Sequence, residues 1–195
     1  MNKKVFLDCG TQRGHGMGAM IEQYKMDSTW EIYGFEANSM ICNTGKIKFK
    51  GLTVSLMNFV IDTEDGDAVF HVSQDDDGGS SVYKDFAVQA GKAMRKHKNE
   101  STDQVFIATL KVPKINLGRF MMANFDQGDY ILVKMDIEGS EFHVLRDLLE
   151  RHIADWIDEL HVEFHQRFMP TESDESVKEL IKQLESRNVK VVLHN

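Results

Sequence analysis

The chain has 195 residues, 42% of them hydrophobic, and 31 acidic against 23 basic side chains give it a formal net charge of −8. That length fills one domain with a sizeable core, and the acid excess argues against a nucleic-acid partner, which needs a basic footprint. No apolar run approaches the roughly 20 residues of a membrane span, Met1-Asn2-Lys3-Lys4 running into Val5-Phe6-Leu7-Asp8 reads as too short and too acidic for a signal peptide, and Cys9 and Cys42 make no disulfide framework.

Val5 to Cys9 is a compact apolar run closed by Asp8-Cys9-Gly10, a buried strand and its turn. Met17, Met20, Ile21 and Tyr24 then fall on one helical face. Ile32 to Phe35 reads as a second strand and Leu52 to Ile61 as a third. Tyr130 to Val133 is apolar without alternation, as in a strand covered on both faces. Phe142, Leu145 and Leu149 line a helix that Ser140 is placed to cap. Leu160, Val162 and Phe164 alternate with His161, Glu163 and His165, a strand with one polar face. Thr171 and Asp174 suggest a variant capping box for a helix striped by Val177, Leu180, Ile181 and Leu184. Asn188 stops that helix, and Val189 to Leu193 is a final strand.

This alternation predicts an α/β fold, a mostly parallel sheet with helices on both faces. Residues from about 62 to 116 break the rhythm. Ala68 to Ser73 reads as a strand and Asp75-Asp76-Asp77-Gly78-Gly79 as a turn. Gly91 to Asn99, with Lys92, Arg95, Lys96, His97 and Lys98, reads as part of a hairpin-and-cover excursion. Its basic cluster is either a solvated face or a patch that attracts an anionic substrate. The whole is expected to be one cytoplasmic domain over 1–195 with no membrane partner.

The densest chemical signal is Asp8-Cys9-Gly10-Thr11-Gln12-Arg13-Gly14-His15-Gly16, between the first strand and the first helix. Glycines there let the backbone turn sharply and approach a ligand, at the carboxyl ends of the strands, where open α/β sheets bind. Glu36 closes the second strand, and a carboxylate there can accept both hydroxyls of a ribose. The plainer alternative is a glycine-rich turn beside a solvated glutamate. Gly14-His15-Gly16-Met17-Gly18-Ala19 fits the G-x-G-x-x-A form of a dinucleotide loop, which supports an alternative as an NAD(P)-dependent oxidoreductase. That match starts several residues after the strand, and Asp8 would lie unfavourably close to a pyrophosphate. The same carboxylate suits the cationic end of S-adenosylmethionine, and the balance favours that cofactor.

The run Asp8 to Gly14 resembles the D-x-G-x-x-x-G first motif of class I methyltransferases. Phe35-Glu36-Ala37-Asn38 is similar to the F-E-P-N segment of the FkbM family within that Rossmann-like fold. Lys134 to Glu141 resembles the family's K-x-D-x-E-G-x-E, Val162-Glu163-Phe164-His165 its V-E-x-H, and Gly79-Ser80-Ser81 the serine pair after its central hairpin. Two departures stand out. Gln12 and Arg13 replace an asparagine and an apolar residue, and the sheet is expected to lack the last antiparallel strand of the class I fold. The edge so exposed could pair with a second copy in a homodimer.

The resemblance implies S-adenosylmethionine as cofactor and methyl transfer, most simply to a hydroxyl on a sugar, glycan or small metabolite. Asp8, Gly10, Thr11 and Gly14 would hold its methionine end, Glu36 its ribose with Asn38 close behind, and Asp62 would approach the adenine. Asp136, Glu138, Glu163 and His165 would stand beside the methyl group as the catalytic set, Asp136 touching the cofactor as well. His165, with an ordinary pKa of roughly 6.5, is the natural base. A divalent cation (magnesium, calcium or manganese) gathered by Asp136, Glu138 and Glu163 is an unfavoured alternative, and no metal ligand is assigned. Glu138 could instead serve only to favour a helix dipole. A non-catalytic S-adenosylmethionine-binding module is the alternative outside enzymes.

Overall fold

The apolar run at the N-terminus becomes the central strand because both its faces are covered. In the computed structural model, which describes residues 2–73, 79–102, 105 and 107–194, β1 (Lys4–Cys9) lies between β2 (Trp30–Phe35) and β8 (Tyr130–Met135), both parallel to it. Val5, Leu7 and Cys9 face a layer made by α3 (Leu117–Asn124), α4 (Glu141–Glu150) and α5 (Asp174–Glu185). Phe6 faces Met17, Met20 and Ile21 of α1 (His15–Gln23) on the other side. Past the exposed Lys4 at its start, period-two alternation and two apolar layers leave no polar position on β1 except Asp8, which is fully buried.

The seven-stranded sheet runs β10-β9-β8-β1-β2-β4-β3, with β3 (Gly45–Phe49), β4 (Leu52–Met57), β9 (Glu159–Val162) and β10 (Lys190–Leu193). Every pairing is parallel except β3 with β4, and β10 pairs directly with β9. This is the Rossmann-like, mostly parallel sandwich the alternation predicts. Beside it, β5 (Val60–Asp62), β6 (Gly66–Ser73) and β7 (Ile107–Asn116) form a second sheet in the order β5-β7-β6. Between β6 and β7 the chain forms α2 (Lys84–His97). Among the described residues no helix is long and apolar enough to cross a membrane.

Several local expectations need correction. The run Leu52 to Ile61 is two strands, not one. Asn58 donates its amide to the carbonyls of Glu36 and Ala37, and the chain then leaves the main sheet so that Val60 and Ile61 pair with β7. Gly91 to Asn99 is mostly helical, because Phe86, Ala87, Ala90 and Gly91 bury one side of α2 while Lys92 and Lys96 stay in water. Ser140 makes no side-chain cap. The box of α5 is Ser173 with Ser176 rather than Thr171 with Asp174. On β9 the polar residues are covered too: Glu159 and His161 are buried, tied to Tyr24, His194 and Lys190 by hydrogen bonds and an ion pair. The predicted turn at 75–79 lies outside the described residues except for Gly79.

Candidate active site

Strand register alone brings four predicted residues into line. Cys9 pairs with Phe35 and with Met135, and Met135 pairs with Val162, so the next residues, Gly10, Glu36, Asp136 and Glu163, emerge together at the carboxyl edge. All four line one cavity of about 640 Å³, a size suited to a small-molecule ligand. Gly10 is required here by its neighbours. Its φ is +86°, and a Cβ on it would stand 1.8 Å from the carbonyl oxygen of Asp136.

Glu36 is buried yet faces the cavity. One carboxylate oxygen accepts the N–H of Gln12 (2.6 Å) and the other that of Asn38 (2.7 Å). Burial raises its pKa, and these two N–H groups oppose the rise. Two of its roughly four lone-pair positions remain for a ligand. Gln12 and Asn38 line the cavity as well.

The other predicted cofactor residues lie behind this wall. Asp8 is fully buried, neither of its oxygens has a hydrogen bond, and the nearest cation is Lys134 Nζ at 3.4 Å. Burial raises its pKa, and Lys134 opposes the rise. The same ammonium lies 3.5 Å from Asp136, so Lys134 links Asp8 to the cavity. Thr11 donates its hydroxyl to the carbonyl of Asp8, and Gly14 packs under the ring of Phe49. Asp62 does not reach the cavity wall. It pairs with Lys114 (3.1 Å) and His143 (3.4 Å), and although partial burial pushes its pKa up, His143, the Thr63 N–H and Lys114 hold it well below the usual carboxylate range. The glycines of the dinucleotide-like run serve packing: a Cβ on Gly16 would strike Lys134, and one on Gly18 would press on Lys50.

The four predicted catalytic residues do converge. His165, buried in the loop after β9, directs Nε2 at Glu138 (3.4 Å), Glu163 (3.6 Å) and Asp136 (3.9 Å). Its Nδ1 meets Glu141 at 3.0 Å. Glu141 is fully buried and accepts the N–H groups of Ile137 and Gly139 as well. Burial alone would lower the pKa of His165, but the Glu141 bond and charge, then Glu138 and Asp136, raise it to about 9. Glu138 sits at a φ of +54°, accepts the N–H of Gly79 (2.8 Å), and receives the Ser81 hydroxyl on its own carbonyl. Burial pushes its carboxyl up to about 7 against the pull of His165 and that N–H.

A cavity at the carboxyl edge, with carboxylates after β9, β8 and β2 and the glycine backbone of Gly10 after β1 between the last two, is the arrangement that the sequence motifs imply. A family model described as the methyltransferase FkbM domain matches residues 8–191. The chain belongs to the FkbM methyltransferase family. Neither a curated protein nor a solved structure matches it significantly.

The FkbM segments map onto this geometry directly. The Lys134 to Glu141 stretch supplies the end of β8 and the first residue of α4, and the Gly79 to Ser81 stretch supplies the donors that hold Glu138. Glu141, which the sequence analysis does not single out, is the residue that fixes His165 in the site. It was visible as the last letter of K-x-D-x-E-G-x-E, but nothing in the spacing shows that it turns back onto Ile137, Gly139 and His165. The cation set expected from Asp136, Glu138 and Glu163 also differs. Among the described residues the group whose ligand atoms lie within 4.8 Å of one another is Asp136, Glu141 and His165. Within it, Glu141 is already committed to two N–H groups and the imidazole. The far wall of the FkbM cavity comes from β6, α2 and the 3-10 turn Gln166–Phe168, and Phe70, Ala90, Met94, His97, Arg167 and Phe168 line it; of these, His97 belongs to the basic cluster that the sequence offers as a solvated face or an anion-attracting patch, and no motif marks the others.

Proposed function

We propose that this FkbM domain is an S-adenosylmethionine-dependent methyltransferase that methylates a hydroxyl of a sugar, glycan or related small metabolite, with 1–195 acting as one cytoplasmic domain. The observation that carries the reading is the shared cavity of Glu36, Asp136, Glu138 and Glu163, with the glycine backbone of Gly10 between them. The residues present suit the cofactor. Glu36 keeps lone pairs for two ribose hydroxyls. Gly10, Gln12 and Asn38 would complete the nucleoside end, while Asp8 acts through Lys134 rather than by contact.

When bound, S-adenosylmethionine supplies an electrophilic methyl group on a sulfonium. The chain's task is to align the acceptor hydroxyl and take its proton. His165 stays protonated at neutral pH and holds Asp136, Glu138 and Glu163 around its Nε2, so the base is a carboxylate rather than the imidazole. Glu138, with a pKa of about 7, is suited to accept the proton near physiological pH. Ser81 and Gly79 fix its backbone and one oxygen. Calorimetric titration with S-adenosylhomocysteine, and separately with NAD, tests the reading. Binding of S-adenosylhomocysteine alone supports it, and binding of NAD alone or of neither overturns it.

A further inference from the structure

The cavity's charges are segregated. Its acidic side chains, Glu36, Asp136, Glu138 and Glu163, sit at the strand ends. Each carboxylate has a partner there: backbone N–H groups for Glu36, Lys134 for Asp136, Gly79 and His165 for Glu138, and His165 for Glu163. On the opposite wall the titratable groups are both basic, His97 and Arg167.

That wall is built from one helical face and one turn. Ala90, Ala93, Met94 and His97 recur at i, i+3, i+4 and i+7 on α2 and all line the cavity. Two alanines leave room, Met94 supplies an adaptable apolar surface, and His97 ends the helix. The turn Gln166–Phe168 is pinned to the same helix by Phe168, whose ring meets Phe86 edge-on at 5.2 Å. Arg167 lies over the Phe168 ring at 4.8 Å and forms no ion pair among the described residues. Arg167 and His97 are exposed at the cavity's rim, and a guanidinium held over an aromatic ring with no acidic partner among the described residues offers its N–H fork to an anion entering there. Lys92 and Lys96, exposed on the outer side of α2, do not line the cavity.

We infer that the acceptor is an amphiphilic anion: an apolar body against Phe70, Val82, Met94 and Phe168, and a carboxylate, phosphate or sulfonate on Arg167 with His97 beside it. This rests on the methyltransferase reading, in which the strand-end half is taken by the cofactor. It narrows the acceptor from any hydroxyl compound to one that carries a negative charge.

The test uses two fluorescent probes of similar shape, anionic anilinonaphthalenesulfonate and neutral phenylnaphthylamine, titrated with and without saturating S-adenosylhomocysteine. The expected result is that the anionic probe binds the wild type in both conditions. Arg167→Gln should weaken it at least about tenfold, as expected for a charge-assisted contact, with partial recovery in Arg167→Lys. The neutral probe should change less than about twofold, and Lys92→Gln, which lies off the cavity, should leave both probes within that range. Failure of the anionic probe to bind, equal loss of both probes, no loss in Arg167→Gln, or displacement of the probe by S-adenosylhomocysteine would each overturn the inference. Absence of S-adenosylhomocysteine binding itself would instead refute the methyltransferase reading, so the two failures are separable.

Discussion

Replacing Glu141 by glutamine tests how the candidate site is held together. The carboxylate is fully buried and serves three donors, the N–H groups of Ile137 and Gly139 and Nδ1 of His165. Oε1 accepts from Ile137 and the imidazole and Oε2 from Gly139, so the amide nitrogen of glutamine must face either the Gly139 N–H or the Ile137 and imidazole donors, at a cost of about 1–3 kcal/mol. It also removes the charge that most strongly favours the imidazolium, and breaking a buried ion pair adds to the loss, for a total of about 4 kcal/mol at pH 6. The pH dependence follows from the direction of the shift. The pKa of His165 is raised from 6.5 to about 9, so its stabilisation is fully present below pH 6.5 and is lost as pH rises through 9. Urea unfolding of wild type and Glu141→Gln at pH 6 and at pH 9.5 should therefore give a difference that shrinks to about 1–3 kcal/mol at the higher pH. An NMR titration of the variant should place His165 at least about one pH unit below the wild type. Equal differences at both pH values, or an unmoved His165, would refute this account of the pair.

Four further outcomes follow from the same geometry. Gly10→Ala, with a positive φ and a Cβ 1.8 Å from the Asp136 carbonyl, should lose more than about 3 kcal/mol in chemical denaturation. Glu36→Gln retains one acceptor oxygen where two are needed, and should weaken S-adenosylhomocysteine at least about tenfold by calorimetry. Glu138 should ionise as pH rises through about 7, seen as loss of a protonated-carboxyl infrared band that is missing from Glu138→Gln. Titration with magnesium or manganese should show no micromolar binding, because His165 is an imidazolium at neutral pH and an imidazole must be neutral to ligate. Tight binding would move Asp136, Glu141 and His165 into a metal-holding role.

Most of the main sheet is legible in the sequence because its strands are covered on both faces and read as continuous apolar runs. Val5 to Cys9 and Tyr130 to Val133 are of this kind, and both are central strands. The second sheet is less legible. Val60 and Ile61 continue the apolar run of β4, and only the Asn58 bonds to Glu36 and Ala37 show where the chain changes sheet. Helix α2 is hidden because, after Phe86, its buried stripe is Ala87, Ala90 and Gly91, small residues whose value lies in letting Val105 and the cavity approach. The convergence of Asp136, Glu138, Glu163 and His165 was readable from their places after two strands. Their protonation was not, since His165 looks like an ordinary base until four carboxylates are placed around it. Likewise Asp62 follows a strand as a ligand residue should, but Lys114 and His143, distant in sequence, claim its carboxylate.

A crystal structure with S-adenosylhomocysteine tests the central claim most directly. The account predicts the ribose hydroxyls on Glu36 and the sulfur on the side of Asp136 and Glu138, with the wall around Arg167 still open. A nucleoside bound away from Glu36, or a homocysteine end pointing away from the strand-end carboxylates, would contradict it.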